Sequence, residues 1–257
     1  MWYKEYLNFI HIDKEWIKKE GDMEILSKII TNHQIYLPFD TVRKFQDFKS
    51  PNDLITLYKD PSNYIRSIKK NGLGGTCFHF TWALYNLLTS LNFKVSILKL
   101  EHQHFALSIL LGSEYFYIDV GFWSPLFKPM PLNKNWNIEK ENMKVEWKYS
   151  NGKAILYWNG TPAKEWKGEI VTPETFFKCW KNSMTADNFF LNNLYLNKWI
   201  DKDNFIFLVN NKYTEFYKGI KKSEIYLNTI EEIQNIILQK FQISVSQHEL
   251  YSLCQYS

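Results

Sequence analysis

Cys77 follows a glycine-rich turn containing Gly72, Gly74 and Gly75 and opens directly into an apolar run. Thr76 suits an N-cap, because its hydroxyl can accept from an orphan N–H of the first turn. Cys77 then falls at the first helical position, where free N–H groups and the positive end of the dipole favour thiolate over thiol. Phe78, Trp82, Leu84, Tyr85, Leu87, Leu88 and Leu91 cover most of that helix surface. A helix apolar nearly all round is buried, so the cysteine is held on a rigid central element. The same facts fit a buried structural cysteine, since free cysteine is among the most buried residue types. What separates the two readings is a base within reach.

A cysteine nucleophile needs that base and a group that orients it. The histidines are His11, His33, His79, His102, His104 and His248. His79 lies two residues beyond Cys77 on the same helix, so its side chain points elsewhere. It reads as a surface or packing residue. His102 and His104 lie on or just before a strand, and either can serve. The hairpin around Gly112 and Ser113 decides more. A two-residue loop with glycine first suits a type II′ turn between strands at 104–111 and 114–120. Leu111 then faces Glu114, and Ala106 faces Asp119. His104 becomes diagonal to Asp119 on one face of the ladder, within reach for a ring side chain. A three-residue loop would put the two on opposite faces. The short loop gives a His–Asp pair in which the carboxylate holds the imidazole's tautomer. Aspartate is disfavoured in strands, so Asp119 between Ile118 and Val120 already asks for a reason.

The elements that must position these groups change character along the chain. Residues 1–70 read as mostly helical. Met23, Ile25, Leu26, Ile29 and Ile30 approximate one helical face. Tyr36 to Asp40 reads as an apolar stop and a turn, with Pro38 unable to continue a helix. Asp60 and Pro61 open the next helix, and Asn71-Gly72 closes it. From Phe93 the period is that of strands, beginning with Lys94 to Leu100. Asn151-Gly152 between 145–149 and 154–158 is a type I′ hairpin signal. Thr172, Pro173 and Glu174 open a helix containing Cys179. Strands at 205–209 and 213–217 flank Asn210-Asn211. Thr229 and Glu232 form a capping box before Ile233, Ile236, Ile237 and Phe241. A helical region, a strand-rich region and a smaller mixed region make the fold class α+β.

Composition sets the outer bounds. A chain of 257 residues holds one large core or a few small modules. It is 45% apolar and 23% charged, as globular proteins are, but 18% aromatic, so wide apolar surfaces need covering. The net charge of +4 is spread along the chain. Lys69-Lys70 and Lys221-Lys222 read as solvated faces rather than a nucleic-acid patch. Three cysteines, Cys77, Cys179 and Cys254, are too few and odd in number for a disulfide framework, which points to a reducing compartment. The start shows no signal-peptide pattern, and the apolar run from Phe105 to Leu111 is too short to span a bilayer. A cytoplasmic protein, without membrane or nucleic-acid partners, is expected.

Taken together, Gly74-Gly75-Thr76-Cys77-Phe78, His104-Phe105-Ala106-Leu107 and Asp119-Val120-Gly121-Phe122 resemble the motifs of the arylamine N-acetyltransferases. Those read R-G-G-x-C-F-E, H-x-x-L and D-V-G-F-G. Leu37-Pro38-Phe39-Asp40 resembles their I-P-F-E segment. The likeness is good from about residue 36 to 132 and weak beyond. It implies a helical N-terminal domain at 1–92, an antiparallel β-barrel at 93–190 and an α/β lid at 191–257 around a papain-like Cys-His-Asp core. By motif position Cys77 is the nucleophile, His104 the base and Asp119 the orienter. Phe122 and Phe39 match phenylalanines at the acceptor pocket. Three departures stand out. Leu73 replaces arginine, His79 replaces a glutamate able to complete a capping box, and Trp123 replaces the glycine that begins a loop associated with coenzyme A.

The resemblance implies an acyltransferase that moves an acetyl or other acyl group from acyl-CoA to an arylamine-type acceptor through an acyl-cysteine. Trp123 would stand near the mouth of the site. No metal is implied, because the cysteines lack CxxC spacing and His102 and His104 have no evident third ligand. Two rivals use the same residues differently. One is a triad hydrolase or amide-forming enzyme with a non-CoA donor. The other is an inactive aromatic-lined scaffold that binds a small molecule.

Overall fold

The structure, a computed structural model, describes residues 2–50 and 52–254. The side chain of Cys254, the third cysteine, lies outside the described part. The first third is helical: α1 (Trp2–Phe9), α2 (Lys14–Ile17), α3 (Asp22–Tyr36), α4 (Thr41–Lys49), α5 (Leu54–Tyr58), α6 (Pro61–Asn71) and α7 (Cys77–Ser90). Helix α6 begins as expected, with Asp60 accepting from the Ser62 N–H and Pro61 at the first position. It ends at Gly72, whose φ of 75° only glycine adopts without strain. The stop after α3 is more than a turn. Phe39–Asp40 forms a two-residue strand, β1, paired antiparallel with Asn197 and Leu196 from the far end of the chain.

Strands β2 (Lys94–Leu100), β3 (His104–Leu111), β4 (Glu114–Ile118), β5 (Met130–Pro131), β6 (Trp136–Lys140), β7 (Met143–Ser150), β8 (Lys153–Trp158) and β9 (Thr161–Val171) form one antiparallel sheet. Its order is β5-β4-β3-β2-β9-β8-β7-β6, and it curls into a nearly closed barrel. Side chains draw the two edges together: Trp136 donates to the Pro131 carbonyl and Trp147 to the Leu132 carbonyl, both at 2.9 Å. Trp147 stacks on Trp136 at 5.9 Å and on Tyr117 at 4.7 Å, filling the interior with Leu98, Leu100 and Leu156. The β3–β4 hairpin has the short loop, with Leu111 opposite Glu114. Gly112 has φ of +59° and Ser113 keeps a negative φ, as a type II′ turn requires. Asn151 and Gly152 both take positive φ, the type I′ pattern.

Helices α8 (Pro173–Asn182) and α9 (Phe189–Asn192) lead to β10 (Tyr195–Trp199), β11 (Asn204–Val209), β12 (Lys212–Tyr217) and β13 (Ile220–Tyr226). With β1 these make a second sheet in the order β1-β10-β11-β12-β13. Helix α10 (Ile230–Ile236), a π-helical turn at Ile237–Phe241 and α11 (Gln247–Cys254) pack on it. Thr229 caps α10 at 3.1 Å from the Glu232 N–H. Glu232 itself reaches the Asn228 N–H, one residue earlier than the expected capping box requires. The whole is α+β. Among the described residues no helix is long and apolar enough to cross a membrane.

Candidate active site

Cys77 is the first residue of α7, and two contacts hold the turn before it. Asp40 accepts from the Gly75 N–H at 2.7 Å, and its own N–H donates to the Gly75 carbonyl at 3.0 Å. Gly75 sits at φ +93°, and a Cβ there would meet the His79 ring at 2.5 Å, so only glycine fits. The other oxygen of Asp40 caps α4 at the Arg43 N–H, 2.7 Å away. Burial raises the Asp40 carboxyl to about 6, against these backbone donors.

Of the two expectations for His79, surface or packing, the structure has the second: it is buried, and its ring is central to a network. Nδ1 accepts from the Thr76 N–H at 3.0 Å, the backbone contact that the expected glutamate would have made. Nε2 lies 2.7 Å from Asp47 Oδ2 and 3.0 Å from the Tyr58 hydroxyl. Arg43 closes the network, donating to Tyr58 at 2.8 Å and facing Asp47 at 3.5 Å. Leu73 is buried with Val42, Leu194 and Ile243 in the core beneath the second sheet.

The strand side arrives through a hydrogen bond. The Thr81 hydroxyl, one turn along α7 from Cys77, donates to the Phe105 carbonyl at 2.9 Å. That bond fixes the cysteine's helix against the strand that begins at His104. His104 Nε2 lies 2.7 Å from Asp119 Oδ2. This leaves Nδ1 as the ring nitrogen without the carboxylate, and the imidazole is close enough to the Cys77 thiol for each to shift the other's titration. His102 occupies the preceding turn at φ 58°; its ring borders the cleft and is not the one on Asp119. Asp119 lies just beyond the end of β4 and is saturated with donors. Tyr117 gives a second bond to Oδ2 at 2.8 Å, and the N–H groups of Gly121 and Phe122 reach Oδ1 at 2.9 and 3.0 Å. That accounts for an aspartate in so apolar a run. Gly121 is required by proximity: a Cβ there would lie 2.7 Å from the Cys77 Cβ.

The charges reinforce one another. Burial opposes each ion, but the partners outweigh it. Asp119 is held below its ordinary range by the His104 charge, then by bonds from His104 and Tyr117. Asp119 pushes His104 up to about 9, against burial and the nearby Lys164. The Cys77 thiol is drawn down by the His104 bond and charge, with Lys164 and Lys44 adding to it. The arrangement favours a thiolate–imidazolium pair, backed by a buried carboxylate.

These groups border a cleft of about 400 Å³. Phe39, Phe122 and Trp123, singled out from the sequence, all line it, together with Phe190 and Tyr195. Phe190 stacks edgewise toward Phe39 and Tyr195, at 5.6 and 5.7 Å. Lys44 and Lys164 line it too, and sequence reasoning missed both. Lys44 sits in Thr-Val-Arg-Lys-Phe-Gln-Asp-Phe-Lys, whose charges look like a solvated face; nothing local marks it as buried. Among the described residues no cluster of three or more His, Cys, Asp or Glu side chains is placed to hold a metal.

A family model described as N-acetyltransferase matches residues 22–250. Among solved structures, the arylamine N-acetyltransferase of Salmonella typhimurium superposes with a TM-score of 0.84 at 15% identity, covering 100% of this chain and 98% of that one. One from Bacillus cereus, described as having a unique Cys-His-Glu catalytic triad, gives 0.75 at 19% identity over 95% and 99%. One from Mycobacterium marinum, solved in complex with CoA, gives 0.78 at 14% identity over 98% of each chain. A search of curated proteins returns no match. The family model spans most of the chain and the fold agrees over its whole length, so this chain belongs to the arylamine N-acetyltransferase family.

Proposed function

We propose that this enzyme carries an acetyl or other acyl group from acyl-CoA to an arylamine-type acceptor, with Cys77 as nucleophile, His104 as base and acid, and Asp119 as orienter. The observation that carries the reading is the 2.7 Å contact of His104 Nε2 with Asp119, which turns the other ring nitrogen to a thiol at a helix N-terminus. The Cys77 thiolate attacks the thioester carbonyl, and backbone N–H groups, including that of Cys77, hold the oxyanion. As the intermediate collapses, the His104 imidazolium gives its proton to the departing CoA sulfur. The acceptor nitrogen then attacks the acyl-cysteine while neutral His104 takes the amine's proton, and collapse restores the thiolate. Asp119 keeps the imidazole in the tautomer that both steps need.

The substrate roles follow the cleft. Phe39 and Phe122 are the acceptor's aromatic walls, and Trp123 stands at the mouth. The M. marinum complex supports coenzyme A as the donor's carrier. Lys164, half-buried and positioned over the Phe122 ring at 5.7 Å, offers the donor's phosphates a positive edge. Three functional units, 1–92, 93–190 and 191–257, suit this division of labour, and free Cys77 and Cys179 suit a reducing cytoplasm. Intact-mass measurement after mixing with acetyl-CoA tests the reading. One acetyl group should appear on the parent, map to Cys77, and leave when an arylamine is added. An unmodified Cys77 that nevertheless turns over simple thioesters or peptides would favour the hydrolase.

A further inference from the structure

Lys44 has a position that the chemistry above does not use. It belongs to α4, and only 2% of it is exposed. Its ammonium stands 5.8 Å from the centre of the Phe78 ring, beside the nucleophile's helix. Its one hydrogen bond among the described residues is to the Ser183 hydroxyl, at 3.0 Å. Ser183 in turn spends its proton on the Trp180 carbonyl, 2.7 Å away, so it serves Lys44 only as a neutral acceptor. No described carboxylate pairs with this lysine. Asp47, three positions along the helix, is already taken by His79, Tyr58 and Arg43. The described lining of the cleft contains no aspartate or glutamate. An ammonium with three donors, one neutral partner and little water is under-satisfied, and that is costly in an interior.

We infer that Lys44 is a specificity-determining residue whose ammonium receives an anionic substituent, a carboxylate or sulfonate, on the aromatic ring of the acyl acceptor. The inference rests on the acyl-transfer reading for the timing of binding. Burial lowers the Lys44 ammonium to about 8; in the resting enzyme the Cys77 thiolate is the anion that most opposes this, and Lys44 in turn lowers the thiol. Acylation removes the sulfur's charge. Lys44 is then left without an anion at the stage when the acceptor must enter. An anionic acceptor is repelled by the thiolate form and drawn to the acylated form, so the charge on the ring favours binding in productive order. Phe39, Phe190 and Tyr195 cover the ring's faces and edges.

The test uses para-aminobenzoate and its methyl ester, which differ in charge; their difference in amine electronics cancels because the same pair is compared in parent and variant. In the parent, kcat/KM for the acid relative to the ester is measured with acetyl-CoA. In Lys44→Met that ratio should fall about tenfold or more, the scale of a charge-assisted hydrogen bond. Lys164→Met should change the ratio less and raise KM for the donor instead. An unchanged ratio in Lys44→Met, with both amines slowed equally, overturns the proposal, as does a larger change in Lys164→Met. Binding keeps the question separate from turnover. Cys77→Ala, which carries no thiolate, should bind para-aminobenzoate more tightly than the parent at or just below neutral pH, where Lys44, lowered by burial to about 8 and further by loss of the thiolate, still carries its proton. Adding Lys44→Met should abolish that gain. Equal binding by the single and double variants overturns the Lys44 site even if no acyl transfer is found. Absence of acyl transfer to either amine by the parent, with the binding difference intact, overturns the function and not the site.

Discussion

Three influences converge on the Cys77 sulfur: a helix N-terminus, the His104 imidazolium and the lysines bordering the cleft. All lower its pKa, so thiolate persists as pH falls. Iodoacetamide at limiting dose should label Cys77 before Cys179 or Cys254, although Cys77 is the more buried of the first two. Its alkylation rate should reach half of its plateau below the ~8.5 of an ordinary cysteine. In His104→Ala the midpoint should move up and the rate near neutrality drop; an unmoved midpoint would mean that the imidazole does not govern the thiol. Asp119→Asn has a sharper consequence. The amide oxygen can still accept from Gly121 and Phe122, but the NH₂ then meets His104 Nε2 and forces it to accept. The ring proton moves to Nδ1, toward Cys77, which removes the base. By analogy with a serine triad the rate should fall by about 10⁴-fold; a loss under tenfold would show that Asp119 does not set the tautomer. Cys77, His104 and Asp119 were readable because a cap, a hairpin loop and a period-two ladder are local rules. Lys44 was not, since its burial is decided by α8 and the cleft, far away in sequence.

At the scale of elements, the β3–β4 hairpin shows what parity can do. One two-residue loop puts His104 and Asp119 on the same side, and the bond from Thr81 to Phe105 brings both to the head of α7. The helical boundaries at Asp60, Gly72 and Thr172 were legible for the same reason: each is a capping rule. β1 was not legible, because two residues carry no period and their partners lie at Leu196 and Asn197. The partners of His79 were not legible, because neither Asp47 nor Tyr58 is near it in sequence. The network it joins explains how α7 manages without the family's glutamate. A neutral imidazole accepts from Thr76 and donates to a buried carboxylate, where a second carboxylate would be repelled. His79→Glu should therefore destabilise the fold by about 3 kcal/mol or more, the scale of an uncompensated buried charge. His79→Glu with Asp47→Asn should recover much of that, because one negative charge then remains for Arg43. Urea unfolding of the two variants measures it. Equal stability of the single variant and the parent would mean that the network is not a constraint.

At the scale of the whole molecule, Trp123 joins parts that the sequence separates. Its indole packs on Trp158 of the barrel at 4.6 Å and on Phe207 and Phe205 of the second sheet at 5.0 and 5.8 Å. Trp199 and Phe205 continue the seam at 4.9 Å, and Phe127 meets Trp199 at 5.0 Å. Trp123, at the glycine of the motif that the sequence resembles, is thus a pin between the barrel and the second sheet, and it also lines the cleft. The position packs the barrel against the second sheet, which also carries Phe39 and Tyr195 at the cleft. Trp123→Gly would remove a half-buried indole and restore backbone freedom at the seam. Part of the cost of a large-to-small core substitution applies, so Tm should fall by about 5 °C. If the indole acts as a pin, CoA should bind the variant no more tightly than the parent, because a loosened seam offsets any room gained. KM for the acceptor should rise as the aromatic walls on the second sheet, Phe39 and Tyr195, lose their registration with Phe122. Calorimetry with CoA and the acceptor KM, taken together, decide it. Tighter CoA binding at unchanged Tm would make Trp123 an obstruction in the donor's path and not a pin.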